Sequence, residues 1–77
     1  MTAEELRHVH QTKPFQPFTM HLTDGRRIAV SHNQYMSISP SGRTCIVCRE
    51  DDTFEMVHLL LVTALEMHAG PSSNSQV

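Results

Sequence analysis

Tryptophan is absent, tyrosine occurs once and phenylalanine three times among the 77 residues. A base-stacking surface therefore has almost nothing to draw on. Cysteine occurs twice and glycine three times, which excludes a disulfide framework and leaves little for a glycine-rich phosphate loop. Charge of one sign is missing as well. The formal net charge is only −2, so the chain carries no overall electrostatic signature of nucleic-acid or membrane binding. No run approaches the ~18 apolar residues of a membrane span. The start, MTAEELRHVH, is acidic and amphipathic and lacks an apolar signal region. The reading is a cytoplasmic protein with reduced cysteines and no membrane contact.

What is present is period-two alternation. Phe18, Met20 and Leu22 alternate with Thr19, His21 and Thr23, and Ile28 and Val30 repeat the pattern after Asp24-Gly25. A two-residue turn at Asp24-Gly25 scrambles the two apolar faces. A three-residue loop, Thr23-Asp24-Gly25, sets Met20 against Ile28 and Phe18 against Val30, with Gly25 in the left-handed position. That hairpin organises the chain.

Ahead of it, Thr2 with Glu5 three residues later is a capping-box pattern that starts a helix. Ala3, Leu6, Val9 and His10 share one of its faces, which predicts a helix resting on a sheet. It ends before Pro14, because Lys13 ahead of a proline is pushed toward extended geometry. Pro14 and Pro17 hold the connection extended, so that Phe15 packs near Phe18. Two prolines beside two aromatics favour burial over a proline-rich recognition ligand.

Beyond the hairpin, Tyr35–Ser39 is a short strand with Met36 and Ile38 inward. Pro40-Ser41-Gly42 predicts another three-residue loop, which opposes Ile38 to Thr44 and Met36 to Ile46. The strand from Thr44 to Arg49 then has Ile46 and Cys48 on the core side. A loop at Glu50-Asp51-Asp52 pairs Cys48 with Phe54 and Ile46 with Met56, with an aspartate tolerating the left-handed region. His58–Leu61 predicts one turn of 3₁₀ helix. Val62–Met67 is a last strand whose unbroken apolar run predicts burial on both sides. The expected fold is mainly β with an N-terminal helix: a small, strongly bent five-stranded antiparallel sheet or barrel of the SH3 or Sm type. Residues 1–69 form the single domain and residues 70–77 a disordered polar tail.

Chemistry is hard to find in this pattern. In Cys45-x-x-Cys48, residues three apart on a strand face opposite ways with Cα atoms ~10 Å apart. That is beyond the ~7 Å limit for a disulfide, and no second ligand pair at zinc spacing follows. Cys48 is expected in the core and Cys45 nearer the surface. His8 and His10 lie about 200° apart around a helix and cannot chelate one metal together. His21, His32, His58 and His68 are scattered. Six histidines do place much of the titratable charge near pH 6. No nucleophile motif, paired-carboxylate site or phosphate loop occurs. The expectation is a protein that is not an enzyme and has no cofactor, metal or small-molecule substrate.

Below roughly 80 residues a single core seldom supplies more than about 3–5 kcal/mol, which points to a partner. The leading reading is a non-enzymatic interaction module that binds a protein partner or forms a homo-oligomer, through exposed strand edges or through Phe15, Leu59 and Leu61. The alternative is an RNA-binding oligomer using Arg26, Arg27 and Tyr35. It gains if the tips carrying Arg26, Arg27 and Arg43 share one rim.

Two resemblances bear on these readings. The run PFxPFxxxLxDGRxxxVxH, Pro14 through His32, resembles a group of short bacterial proteins of unassigned function, which implies a bacterial cytoplasmic protein. The order of a helix, a strand ending in Leu22-Thr23-Asp24-Gly25, short strands and a final apolar strand is similar to Sm-like RNA-binding proteins. Asn33-Gln34-Tyr35 is loosely similar to their base-contacting segment. The chain departs from that family in its short stretch between Gly25 and Tyr35. It also lacks the glycine that bends the second strand, and His58-Leu59-Leu60 stands where a basic motif is expected. Fold analogy alone does not transfer function.

Overall fold

The computed structural model describes residues 1–68; the tail expected from residue 70 lies outside the described residues. Helix α1 (Ala3–His10) starts as the capping box requires. The Glu5 amide donates to Thr2 Oγ1 at 3.1 Å, and the Thr2 amide donates to Glu5 Oε1 at 3.0 Å. Two of the unpaired donors at the helix start are thereby satisfied. Leu6 is fully buried beneath it, with Ala3 and Val9 partly buried against the core. The chain leaves the helix through a cis Lys13–Pro14 bond, and the Phe15 ring packs against Phe18 with centroids 6.0 Å apart and planes tilted by 57°.

Strands β1 (Phe18–Leu22) and β2 (Arg27–Val30) form the expected hairpin. Phe18 opposes Val30, Met20 opposes Ile28 and His21 opposes Arg27. The Leu22 amide donates to the Arg26 carbonyl at 2.9 Å, and Gly25 has φ +89°, so the three-residue loop is present. Strands β3 (Met36–Ile38), β4 (Thr44–Cys48), β5 (Phe54–His58) and β6 (Val62–Met67) follow, with 3₁₀ turns at Asn33–Tyr35 and Leu59–Leu61.

The six strands of the described residues form two three-stranded antiparallel sheets, ordered β2-β1-β6 and β3-β4-β5. This corrects the expectation of five strands in one bent sheet or barrel. Strand β6 returns to β1, not to its sequence neighbour β5, and no closed barrel results among the described residues. The 3₁₀ turn at Leu59–Leu61 carries the chain across, fixed by the Leu59 amide donating to Arg43 O and the Thr23 amide donating to Leu61 O, both at 2.9 Å. Phe18, Met20, Leu22, Val30, Val47 and Val57 fill the core, with Leu6 packed against them.

The second hairpin departs from its expected register by one residue. The Ser39 amide donates to Thr44 O at 2.9 Å, so the loop has four residues, Pro40–Arg43, although Gly42 does take the left-handed conformation (φ +74°). Ile38 therefore opposes Cys45 and Met36 opposes Val47. A slip of one residue turns every side chain of a strand over. Cys45 and Val47 are buried, while Ile46 and Cys48 face out, the reverse of the sequence expectation. The third loop is as expected, with Asp52 at φ +72°, Cys48 opposite Phe54 and Ile46 opposite Met56. Because β5 is locked to β4, it turned over with it. Burial of β6 on both sides also fails: Val62 is buried and Leu65 partly so, but Thr63, Ala64, Glu66 and Met67 are exposed. An edge strand with one face covered has only one face to bury.

Candidate functional site

The slipped register has a consequence on the outer face of the β3-β4-β5 sheet. There, Phe54 is 66% exposed, Met56 60% and Ile46 37%, and Cys48 is exposed beside them. Ile46 and Met56 oppose each other, as do Cys48 and Phe54, so the four side chains form one apolar quartet on neighbouring strands. Contiguous exposed apolar surface, as distinct from single scattered side chains, is the kind of feature that interaction sites use. These residues were expected in the core. The alternation on both faces of Thr44–Cys48 was the available signal: TCIVC is apolar on each face, so one face had to be left over.

Of the residues proposed from sequence for protein contact, Phe15 is half-buried between His10 and Phe18. Leu59 is a core residue, 3% exposed, which corrects its assignment to a binding surface. Its neighbour Leu60, 89% exposed, is the side chain that the turn presents. Leu61 is partly exposed, and its carbonyl is held by Thr23 at the loop end of β1, whereas Phe15 lies before the other end of that strand. Phe15, Leu59 and Leu61 do not form one surface.

Of the residues proposed for RNA, Arg26 is committed elsewhere. Its guanidinium donates to Asp24 Oδ2 at 2.8 Å and to Glu55 Oε2, while Arg49 donates to Glu55 Oε1. This carboxylate between two guanidinium groups ties the β1–β2 loop to the second sheet. Asp24 sits below the usual carboxylate range, chiefly because the Arg26 amide donates to it. Arg27 and Tyr35 do line one cleft, of about 410 Å³, between β2 and the β4–β5 tip. Arg49, Glu50 and Asp51 line it too, so its charges cancel. Arg43 immediately precedes β4 and Arg49 immediately follows it, about 20 Å apart at strand rise. The basic loops do not share a rim.

The remaining titratable groups are used locally. On the outer face of the first sheet, His21 Nε2 lies 2.9 Å from Glu66 Oε1, and His68 Nε2 lies 2.7 Å from Thr19 Oγ1. Glu66 is held below its ordinary value, first by the His21 hydrogen bond. His10 Nε2 lies 2.6 Å from the Asn33 carbonyl. Among the described residues no group of three or more histidine, cysteine or carboxylate side chains is placed to hold a metal. The two thiols are unpaired and on opposite faces of β4; burial pushes Cys45 up to about 11. No helix among the described residues is long and apolar enough to cross a membrane. No protein-family model, curated protein or solved structure matches the chain.

Proposed function

We propose that the protein is a non-enzymatic interaction module of the cytoplasm, which works by associating with protein through the outer face of the β3-β4-β5 sheet. One observation carries this reading: Phe54 and Met56, more than half exposed, stand beside Ile46 on a face that the described residues leave uncovered. Leaving Phe54 and Met56 about two-thirds exposed forgoes roughly that share of the 1.5–3 kcal/mol that full burial gives each side chain, a sizeable sum for a domain of this size. Two free thiols suit a reducing compartment.

Sedimentation velocity across the micromolar range, together with affinity purification from the native cell, tests the reading. The expected result is a species heavier than the monomer, or a specific co-purifying protein, lost in the Phe54→Ser/Met56→Ser double variant while its melting temperature holds. A strict monomer with no co-purifying protein overturns it.

RNA is the second reading, supported by Arg27, Arg49 and Tyr35 sharing a cleft and opposed by Glu50 and Asp51 in the same lining. Binding of a labelled single strand that weakens steeply with salt supports it. No binding at low salt removes it.

A further inference from the structure

The backbone of β5 adds something its side chains alone do not. In an antiparallel ladder, residues alternate between those that bond across to the neighbour and those whose amide and carbonyl point the other way. The Arg49 amide donates to the Thr53 carbonyl. With the register Cys48–Phe54, Val47–Glu55 and Ile46–Met56, that bond places Glu55 and Val57 in the bonded pairs with β4. The amides and carbonyls of Phe54, Met56 and His58 then point away from β4, along an edge that no strand among the described residues covers. No backbone or side-chain hydrogen bond reaches them among the described residues. Phe54 and Met56, the two residues of β5 with well-exposed apolar side chains, are therefore also residues that offer unpaired backbone groups.

The other edges are blunted. Strand β2 carries exposed Arg27 and faces the cleft beneath the β4–β5 tip, and β3 has three residues and packs against α1. Strand β6 has the N-terminal ammonium 3.5 Å from the Val62 carbonyl. Phe54–His58 has no lysine, arginine or proline, the residues that usually protect an edge.

We infer that β5 pairs with β5 of a second copy of this chain, antiparallel about a two-fold axis at Met56, joining two three-stranded sheets into one of six. The inference rests on the proposed role in association and names its partner. Charge and bond count select the register. Centring on Glu55 opposes two carboxylates, which is unfavourable. Centring on Val57 matches Phe54 with Leu60, which lies beyond the strand in the 3₁₀ turn. Centring on Met56 opposes Met56 to its own copy, Phe54 to His58 and Glu55 to Val57, with no like charges together. All three outward-facing residues are then paired, giving about six backbone hydrogen bonds. On the outer face it brings both methionines between two aromatic rings, where sulfur–aromatic contact is favourable.

A cross-linking pair reads this register directly. In a Cys48→Ser background, Met56→Cys places the new thiol opposite its own copy, with Cα atoms about 5.5 Å apart, inside disulfide range. Phe54→Cys in the same background sits four residues out of register with its copy, about 13 Å along the strand. Under mild oxidation the first variant is expected to form a covalent dimer at least tenfold faster than the second. In the parent chain, exchange of the Phe54, Met56 and His58 amides is expected to slow as concentration rises. A chain that stays monomeric at millimolar concentration overturns the β5 pairing; if it still binds another protein through Phe54 and Met56, the interaction role survives without it. Faster cross-linking by Phe54→Cys, or a dimer whose three edge amides exchange as in the monomer, overturns it in favour of stacked faces or a slipped register.

Discussion

Cys45 and Cys48 belong to one five-residue strand, yet one sits in the core and the other in water. The difference has measurable chemistry. Thiolates, not thiols, react, and burial disfavours the charged form. At pH 8, a thiol reagent is expected to modify one cysteine per folded chain quickly. Cys48→Ser abolishes that reaction, and Cys45 reacts only on unfolding. Rapid labelling of two thiols in the native state contradicts the assigned faces of β4. The same burial has a sign in pH. Cys45 is raised in the fold from an ordinary 9.0 to about 11, so between those values the unfolded chain sheds a proton that the folded chain keeps. The protonated thiol has no effect on the pH dependence below about 9, and stability falls as pH climbs from there toward 11. Denaturation midpoints across that window, compared with Cys45→Ala, show the slope or its absence.

At the scale of an element, α1 and β4 illustrate two degrees of local control. Eight residues are too few for a helix to persist alone, but its start is written into Thr2 and Glu5. Thr2→Ala removes the acceptor for the Glu5 amide and is expected to cost about 1 kcal/mol, read from urea midpoints. The Glu5 carboxylate is lowered, first by the Thr2 amide. Its contribution is therefore present above the ordinary glutamate range and is lost as pH falls through the lowered value. Strand β4 is different. Pro40-Ser41-Gly42 accommodates a three- or a four-residue loop with the same left-handed glycine, and Cys45/Val47 and Ile46/Cys48 are alternatives of similar hydrophobicity. Packing decides between them. A Cβ at Gly42 would lie 2.9 Å from Ala3 Cβ, so helix and loop are in close contact. The Arg43 carbonyl is engaged by Leu59, which takes Arg43 into the loop. Small Cys45 and the β-branched Val47 and Val57 then fill the space between the sheets.

For the molecule as a whole, the link between the two sheets is partly ionic. Arg26 from the first hairpin and Arg49 from the second meet on Glu55. Both guanidinium groups are about half exposed, so salt screens the contact. Glu55→Gln is expected to cost no more than about 1 kcal/mol in low salt, with the difference from the parent chain shrinking toward 1 M salt. A penalty that ignores salt assigns Glu55 a packing role instead. The same scale holds the reason for an uncovered face. Two three-stranded sheets have four faces, and the one α-helix among the described residues leaves the outer face of β4 and β5 bare. The β4–β5 hairpin is left with apolar residues facing water.

Local rules in the sequence reached far into this fold. The capping box, the Thr23-Asp24-Gly25 loop with its register, the aspartate loop before Phe54, the 3₁₀ turn at Leu59 and the bounds of β6 are all settled by neighbours a few residues away. Alternation with one clearly apolar face, as in Phe18–Leu22, also fixes which side is buried, because only one side can profit from leaving water. Where both faces are apolar, as in Thr44–Cys48, nearby residues hold no preference. The phase of β4, the exposure of Phe54 and Met56 and the return of β6 to β1 were therefore decided by contacts between distant segments. The exposed quartet follows from that choice: its side chains are as apolar as those of the core, and they lie in water because the single space between the sheets was already filled.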